Sequence, residues 1–271
     1  MSTKKDKFTL LDKQFMKLAF NLASSRRGLT GNNPAVGCVI TKKNKIISVG
    51  RTGLSGRPHA EYNAIEDCHE NLNGSKMYVT LEPCNHYGKT PPCTKKIIKS
   101  GIRQIYYPIE DIDKKVKGKS FKILTKNKIK VYRGLLKSLS KDFYKSYNIN
   151  RKNKLPYVIG KIAVSKNNLI YSNLNRKITN EHSDKFTHLL RYKNDSILIT
   201  YKTLNKDNPK LNCRLKGLES FSPRRIILDN KLNSKMNKII IKNAKKNNTI
   251  IFYNEANKSK ILSFKRKRIL L

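Results

Sequence analysis

Four side chains in the N-terminal part of the chain have the types and order needed to activate water on a metal: His59, Glu61, Cys84 and Cys93. One imidazole and two thiolates suit the nitrogen and sulfur preference of Zn²⁺. Three protein ligands leave the fourth tetrahedral position for water, and that opening separates a catalytic zinc from a structural one. Glu61 follows His59 by two residues, near enough to hydrogen-bond such a water without ligating the metal. It would take the water's proton and pass it to a departing amine. Blander readings stand beside this one. A structural zinc needs a fourth protein ligand, for which His86 is the candidate, and it has no use for Glu61. Cysteines are also common small core hydrophobes; Cys38 in an apolar strand and Cys68 on a helix are read that way, and Cys213 is unassigned.

These residues need elements to hold them. Pro83-Cys84 closes a strand read over Lys76–Leu81, and Pro91-Pro92-Cys93 opens a helix read over Pro92–Lys99 and ended by Gly101. Unpaired N–H groups at a helix start favour a thiolate. His59 to Glu70 reads as a helix. Upstream, residues 12–24 place Phe15, Leu18, Ala19 and Leu22 at helical spacing. Ala35–Ile40 and Ile46–Val49 read as a hairpin across the polar break Lys42-Lys43-Asn44-Lys45, and Arg103–Ile109 as a further strand. The alternation predicts a three-layer α/β sandwich. From Asp142 to Pro156 the sequence turns polar, so a first domain is expected over 1–145, a linker over 146–156 and a second α/β domain over 157–271. Strands in the second are expected at Tyr157–Val164, Asp195–Thr200, Arg225–Asp229 and Thr249–Tyr253, with a helix at Glu181–Tyr192.

The length, 271 residues, suits one large or two ordinary domains, and 38% hydrophobic residues suffice for a packed core. No apolar run approaches the roughly 18 residues of a membrane span, and no apolar signal segment follows the N-terminus. Five cysteines in a chain of this size read as thiols, and a reducing cytoplasm is expected. The formal charge of +41 would attract a polyanion. However, the 45 lysines outnumber the 14 arginines, are spread over the whole length and come with abundant Asn and Ile, as A/T-rich codons would produce. No specific nucleic acid and no membrane partner is expected.

A His-Xaa-Glu pair followed by Pro-Cys and a second Cys is the signature of zinc nucleobase deaminases, although the eight residues between the cysteines here exceed their usual two. The runs Asn32-Asn33-Pro34-Ala35-Val36-Gly37-Cys38-Val39-Ile40, Pro58-His59-Ala60-Glu61 and Tyr78 to Cys93 resemble the RibD family of riboflavin biosynthesis. The resemblance implies a cytidine-deaminase-like three-layer α/β/α domain. It also implies hydrolytic deamination of 2,5-diamino-6-(5-phosphoribosylamino)pyrimidin-4(3H)-one to 5-amino-6-(5-phosphoribosylamino)uracil. Its zinc ligands fall on His59, Cys84 and Cys93, its proton shuttle on Glu61, and its contacts to the phosphoribosylaminopyrimidine substrate on Asn33, His86 and Lys89. Many members carry a His where this chain has Thr52. The second domain resembles the family's dihydrofolate-reductase-like reductase, which uses NADPH to reduce the ribosyl group. There the resemblance puts substrate contacts on Arg191 and Arg214 and cofactor contacts on Lys161, Ser165, Thr179, Thr203 and Asp207. The family continues past the position of Leu271, so the reductase-like domain is expected to be C-terminally incomplete, and a homo-oligomer is expected. The alternative function is a tRNA- or nucleobase-editing zinc deaminase, which would need a basic rim and stacking aromatics around its pocket.

Overall fold

The computed structural model describes residues 7–88, 90–170, 178–245 and 248–271. They form two compact units, Met1–Ile159 and Gly160–Leu271.

The first unit opens with helix α1, Leu10–Ser24, two residues earlier than its apolar spacing predicts. The reason is a capping box: the Thr9 hydroxyl accepts from the Asp12 N–H, and the Asp12 carboxylate accepts from the Thr9 N–H. The helix buries Phe15, Met16, Ala19, Phe20 and Ala23. Strands β1, Gly37–Lys42, and β2, Lys45–Arg51, form the expected hairpin. Its turn residues Lys43 and Asn44 both take positive φ, matching the two-residue turns whose twist suits the flanking strands. Then follow α2, Ala60–Glu66; β3, Lys76–Val79; α3, Cys93–Lys99; β4, Gln104–Tyr107; α4, Lys119–Lys126; and β5, Lys130–Arg133. The sheet order is β2-β1-β3-β4-β5, with β1 antiparallel to both neighbours and β3, β4 and β5 parallel. The parallel strands connect through helices α3 and α4, as parallel pairing demands. Met77, Val79, Ile105, Tyr107, Ile97 and Leu124 lie in one continuous core.

Helix α2 seats directly on β2. A Cβ at Gly50 would fall 2.2 Å from the Ala60 carbonyl oxygen, so only glycine lets the helix that follows His59 approach this closely. The helix ends at Glu66, short of the expected Glu70. Asp67, Cys68 and His69 are poor helix formers, and the Cys68 thiol turns to the Ile47 and Glu70 carbonyls.

The stretch expected as a linker over 146–156 is largely helical. Helix α5 spans Lys137–Phe143 and α6 spans Lys145–Asn153. Three anchors at helical spacing explain it. The fully buried Tyr144 shares a hydrogen bond with Thr80 and donates to the Ala35 carbonyl, Tyr147 donates to Asp111 at 3.0 Å, and Arg151 pairs with Asp113 at 2.6 Å.

In the second unit α7, Glu181–Lys193, precedes β6, Ser196–Thr200. Helix α8, Tyr201–Asp207, leads to β7, Arg224–Leu228; α9, Ile239–Lys242, leads to β8, Thr249–Phe252; and α10, Lys258–Arg266, closes the order. The three strands are parallel in the order β6-β7-β8. One face packs Ile227 and Ile251 against Leu204, Ile240 and Phe264. The other leaves Leu198 and Phe252 55% and 58% exposed, with Leu228 beside them. Tyr157–Val164, expected as a strand, pairs with none among the described residues. Among the described residues no strand lends the segment a ladder, and Val158 and Ile162 are left 80% and 71% exposed.

Candidate metal centre and active site

The three sequence-distant ligands converge. His59 is the N-cap of α2, with extended backbone and no capping bond of its own, so its ring is free to turn inward. Cys84 lies five residues past the end of β3, and Cys93 opens α3 after Pro92. Their donor atoms all lie within 4.8 Å of one another. His59 Nδ1 is 3.5 Å from Cys84 Sγ and 3.4 Å from Cys93 Sγ. Tetrahedral zinc with ordinary Zn–N and Zn–S bonds would separate nitrogen from sulfur by about 3.6 Å. The residues therefore fit the ion. His86 is not in this group, and among the described residues the group has no fourth protein ligand, which argues against a structural zinc.

Glu61 sits in the first turn of α2, 4% exposed and beside Cys93. Burial pushes its carboxyl up to about 7, with the Cys84 sulfur adding to the rise and His59 opposing it. The Cys84 thiol is drawn down to about 4 by hydrogen bonding from Cys93 and His59, despite burial. The Cys93 backbone N–H, at the start of α3, points at Cys84 Sγ from 3.2 Å. A helix start thus supports a thiolate, though on the partner cysteine and not on its own. Cys93 is pushed up by its bond to Cys84 and by burial, and His59 is raised by its bond to Cys84 against burial.

A second layer holds the ligand-bearing turns. The buried Glu82 carboxylate accepts from the N–H groups of Asp111, Gly118 and Ser120 at 3.1, 2.9 and 3.1 Å, and the Ser120 hydroxyl donates to the Pro83 carbonyl at 2.6 Å. The segment after β4 is thereby sewn to the backbone just before Cys84. Sequence reasoning passed over Glu82, whose place directly before Pro83-Cys84 does not by itself disclose these contacts. It also passed over Arg57, whose Nη1 donates to Thr90 Oγ1 at 2.6 Å across the Cys84–Cys93 loop.

Of the expected substrate contacts in this unit, Asn33 is half-buried and donates from Nδ2 to the Gly56 carbonyl at 3.0 Å. Gly56 has φ +92 and no room for a Cβ, which would come within 2.7 Å of Asn33; the turn before His59 and the Asn33 loop are fitted to each other. His86 is half-buried with Nδ1 sealed from solvent and without a hydrogen-bond partner. Lys89 lies outside the described residues. Thr52 is buried and structural: its hydroxyl accepts from the Val36 N–H at 2.9 Å. Cys38 is a core residue of β1, as expected, whereas Cys68 lies beyond the end of α2.

In the second unit, Arg191 Nη1 and Arg214 Nη1 both donate to Asn212, at its carbonyl and at Oδ1. The five residues expected at a nicotinamide cofactor are not brought into contact with one another. Lys161 is exposed, and Ser165 closes a tight turn onto Leu169. Thr179 donates to Asp184, the Thr203 N–H is capped by Thr200, and Asp207 ends α8. By themselves they outline no cradle.

Comparison with known proteins agrees with the geometry. Residues 10–109 match the cytidine and deoxycytidylate deaminase zinc-binding region, so the first unit is a zinc-binding deaminase domain. Residues 156–270 match the RibD C-terminal domain. The chain belongs to the RibD family of riboflavin biosynthesis. It is 33% identical over 263 residues to the riboflavin biosynthesis protein RibD of Aquifex aeolicus, covering 96% of this chain and 74% of that one. The RibD of Bacillus amyloliquefaciens is 37% identical, over 82% of this chain and 60% of its own. A diaminohydroxyphosphoribosylaminopyrimidine deaminase/5-amino-6-(5-phosphoribosylamino)uracil reductase from Thermotoga maritima superposes with a TM-score of 0.81 at 32% identity, covering 96% of this chain and 80% of that one. The chain thus spans roughly three quarters of one of these curated relatives and under two thirds of the other.

Proposed function

We propose that the first unit hydrolyses 2,5-diamino-6-(5-phosphoribosylamino)pyrimidin-4(3H)-one to 5-amino-6-(5-phosphoribosylamino)uracil and ammonia. One observation carries the reading: three soft donors at zinc spacing with a buried carboxylate beside them that is not one of the three. His59, Cys84 and Cys93 would hold a zinc ion, which when bound would supply Lewis acidity to lower the pKa of water at the site. Glu61, shut away from bulk solvent, accepts the attacking water's proton and returns it to the amine as the carbon–nitrogen bond breaks. Asn33 and His86 read the pyrimidine edge, and Lys89 supplies charge for the phosphate. The family relation supports the second unit as the NADPH-dependent reductase of the ribosyl group, with Arg191 and Arg214 on substrate and Lys161, Ser165, Thr179, Thr203 and Asp207 toward the cofactor. The same reading includes a domain junction near residues 146–156, a cytoplasmic location, a homo-oligomer and no specific nucleic acid. The substrate is a small molecule, and no helix among the described residues is long and apolar enough to cross a membrane.

Incubating the purified chain with the diaminopyrimidinone phosphate, with and without NADPH, tests both halves. Ammonia release independent of NADPH reports the deaminase; NADPH consumption after deamination reports the reductase. Glu61→Gln should keep its zinc and lose ammonia release by several orders of magnitude. If metal and activity disappear together, Glu61 is a ligand or a structural prop and not a shuttle.

A further inference from the structure

We propose that His188 is a positioning residue, whose Nδ1 lone pair fixes two arginines of the second unit to face one phosphate ester. The proposal rests on the reading of Arg191 and Arg214 as substrate contacts and names what builds their site. His188 and Arg191 are three residues apart on α7 and so share a face. Two donors converge on His188 Nδ1: the Arg214 backbone N–H at 3.2 Å and Arg191 Nη1 at 3.3 Å. Only an unprotonated Nδ1 can accept both, so the ring proton belongs on Nε2. The surroundings favour that neutral ring, since burial and the two flanking guanidiniums lower the pKa of His188 and outweigh the Asn212 backbone and Asp184, which raise it.

The segment leading into Arg214 is anchored through the two residues before it. Arg191 Nη1 donates to the Asn212 carbonyl at 3.1 Å and Arg214 Nη1 to Asn212 Oδ1 at 3.2 Å. Cys213 points its buried thiol at the His188 carbonyl, 3.5 Å away, and its N–H at the Ser222 hydroxyl. Arg191 Nε is sealed from solvent with no hydrogen-bond partner. A buried, charged donor left unmatched is costly unless a ligand completes it. Two guanidiniums, one with an unmet N–H, suit a tetrahedral oxyanion, the group that arginine forks recognise best.

The test measures binding of ribose 5-phosphate to the full chain at fixed salt, with circular dichroism as a check of folding. Arg191→Met defines how much binding belongs to this site. His188→Ala should weaken that part about tenfold, the scale of one misplaced charge-assisted hydrogen bond. His188→Asn, whose Oδ1 falls near the position of Nδ1, should restore it; His188→Gln, which moves the acceptor outward to the Nε2 position, should not. If His188→Ala binds like the parent, or Asn and Gln behave alike in folded protein, the role of His188 is overturned. If Arg191→Met itself changes nothing, the reading of the arginines as a phosphate site fails instead.

Discussion

At the scale of single residues, the metal centre is a division of labour among cysteines. Cys93→Ser should cut zinc content sharply, whereas Cys68→Ser, whose thiol only caps carbonyls away from the cluster, should leave it unchanged; metal analysis of the two purified variants distinguishes them. Equal zinc in both would reject the triad. The triad and Glu61 were legible because their chemistry is rare and their flanking prolines mark strand and helix ends. Glu82 was not, since a carboxylate that serves by accepting three backbone N–H groups leaves no spacing rule in the sequence; its donors lie 29 to 38 residues away. The same holds for His188, whose donor Arg214 is 26 residues off. For Thr52 the residue type hinted at a lost contact, and only the fold shows a hydroxyl employed in holding Val36.

At the scale of elements, the capping box of α1 makes a prediction with a sign. Burial raises the Asp12 carboxyl, but hydrogen bonds from Tyr78 and from the Thr9 backbone and side chain outweigh it and hold the group below its ordinary 3.8. A carboxyl with a lowered native pKa stabilises the fold above its unfolded value and loses that contribution as pH falls through the native one. Asp12→Ala should therefore cost about 1 kcal/mol at neutral pH, with the deficit shrinking toward acid. Denaturation at pH 7 and at about pH 3 checks it; a deficit equal at both pH values would mean packing, not charge, is responsible. Elements with strong periodicity or plain punctuation were legible: α1, the Lys43-Asn44 hairpin, α3 and the three strands of the second unit. Helix α6 hid because its anchors are Tyr147 and Arg151, with Tyr144 at its N-cap, set among polar residues, so no apolar stripe announces it. Tyr157–Val164 failed in the opposite way: its apolar content predicts a strand, but a strand exists only where another supplies its hydrogen bonds.

At the scale of the whole molecule, the excess of 41 positive charges acts at a distance that salt controls. Transfer RNA should bind weakly and lose affinity steeply as salt rises, by roughly three to five decades between 50 and 200 mM if six to ten phosphates are neutralised. A filter-binding or anisotropy titration in salt steps tests this. Tight, sequence-selective binding at physiological salt would favour the editing-deaminase alternative.

The uncovered side of the β6-β7-β8 sheet sets a colloidal consequence. Leu198, Leu228 and Phe252 form a greasy raft on a particle whose strong positive charge holds other particles off. Screening that repulsion removes the barrier while leaving the raft, so particle size in light scattering should grow as sodium chloride is added. Leu198→Lys with Phe252→Lys should keep the sample monodisperse over the same range without lowering its melting temperature; growth unaffected by the pair would place the adhesive surface elsewhere.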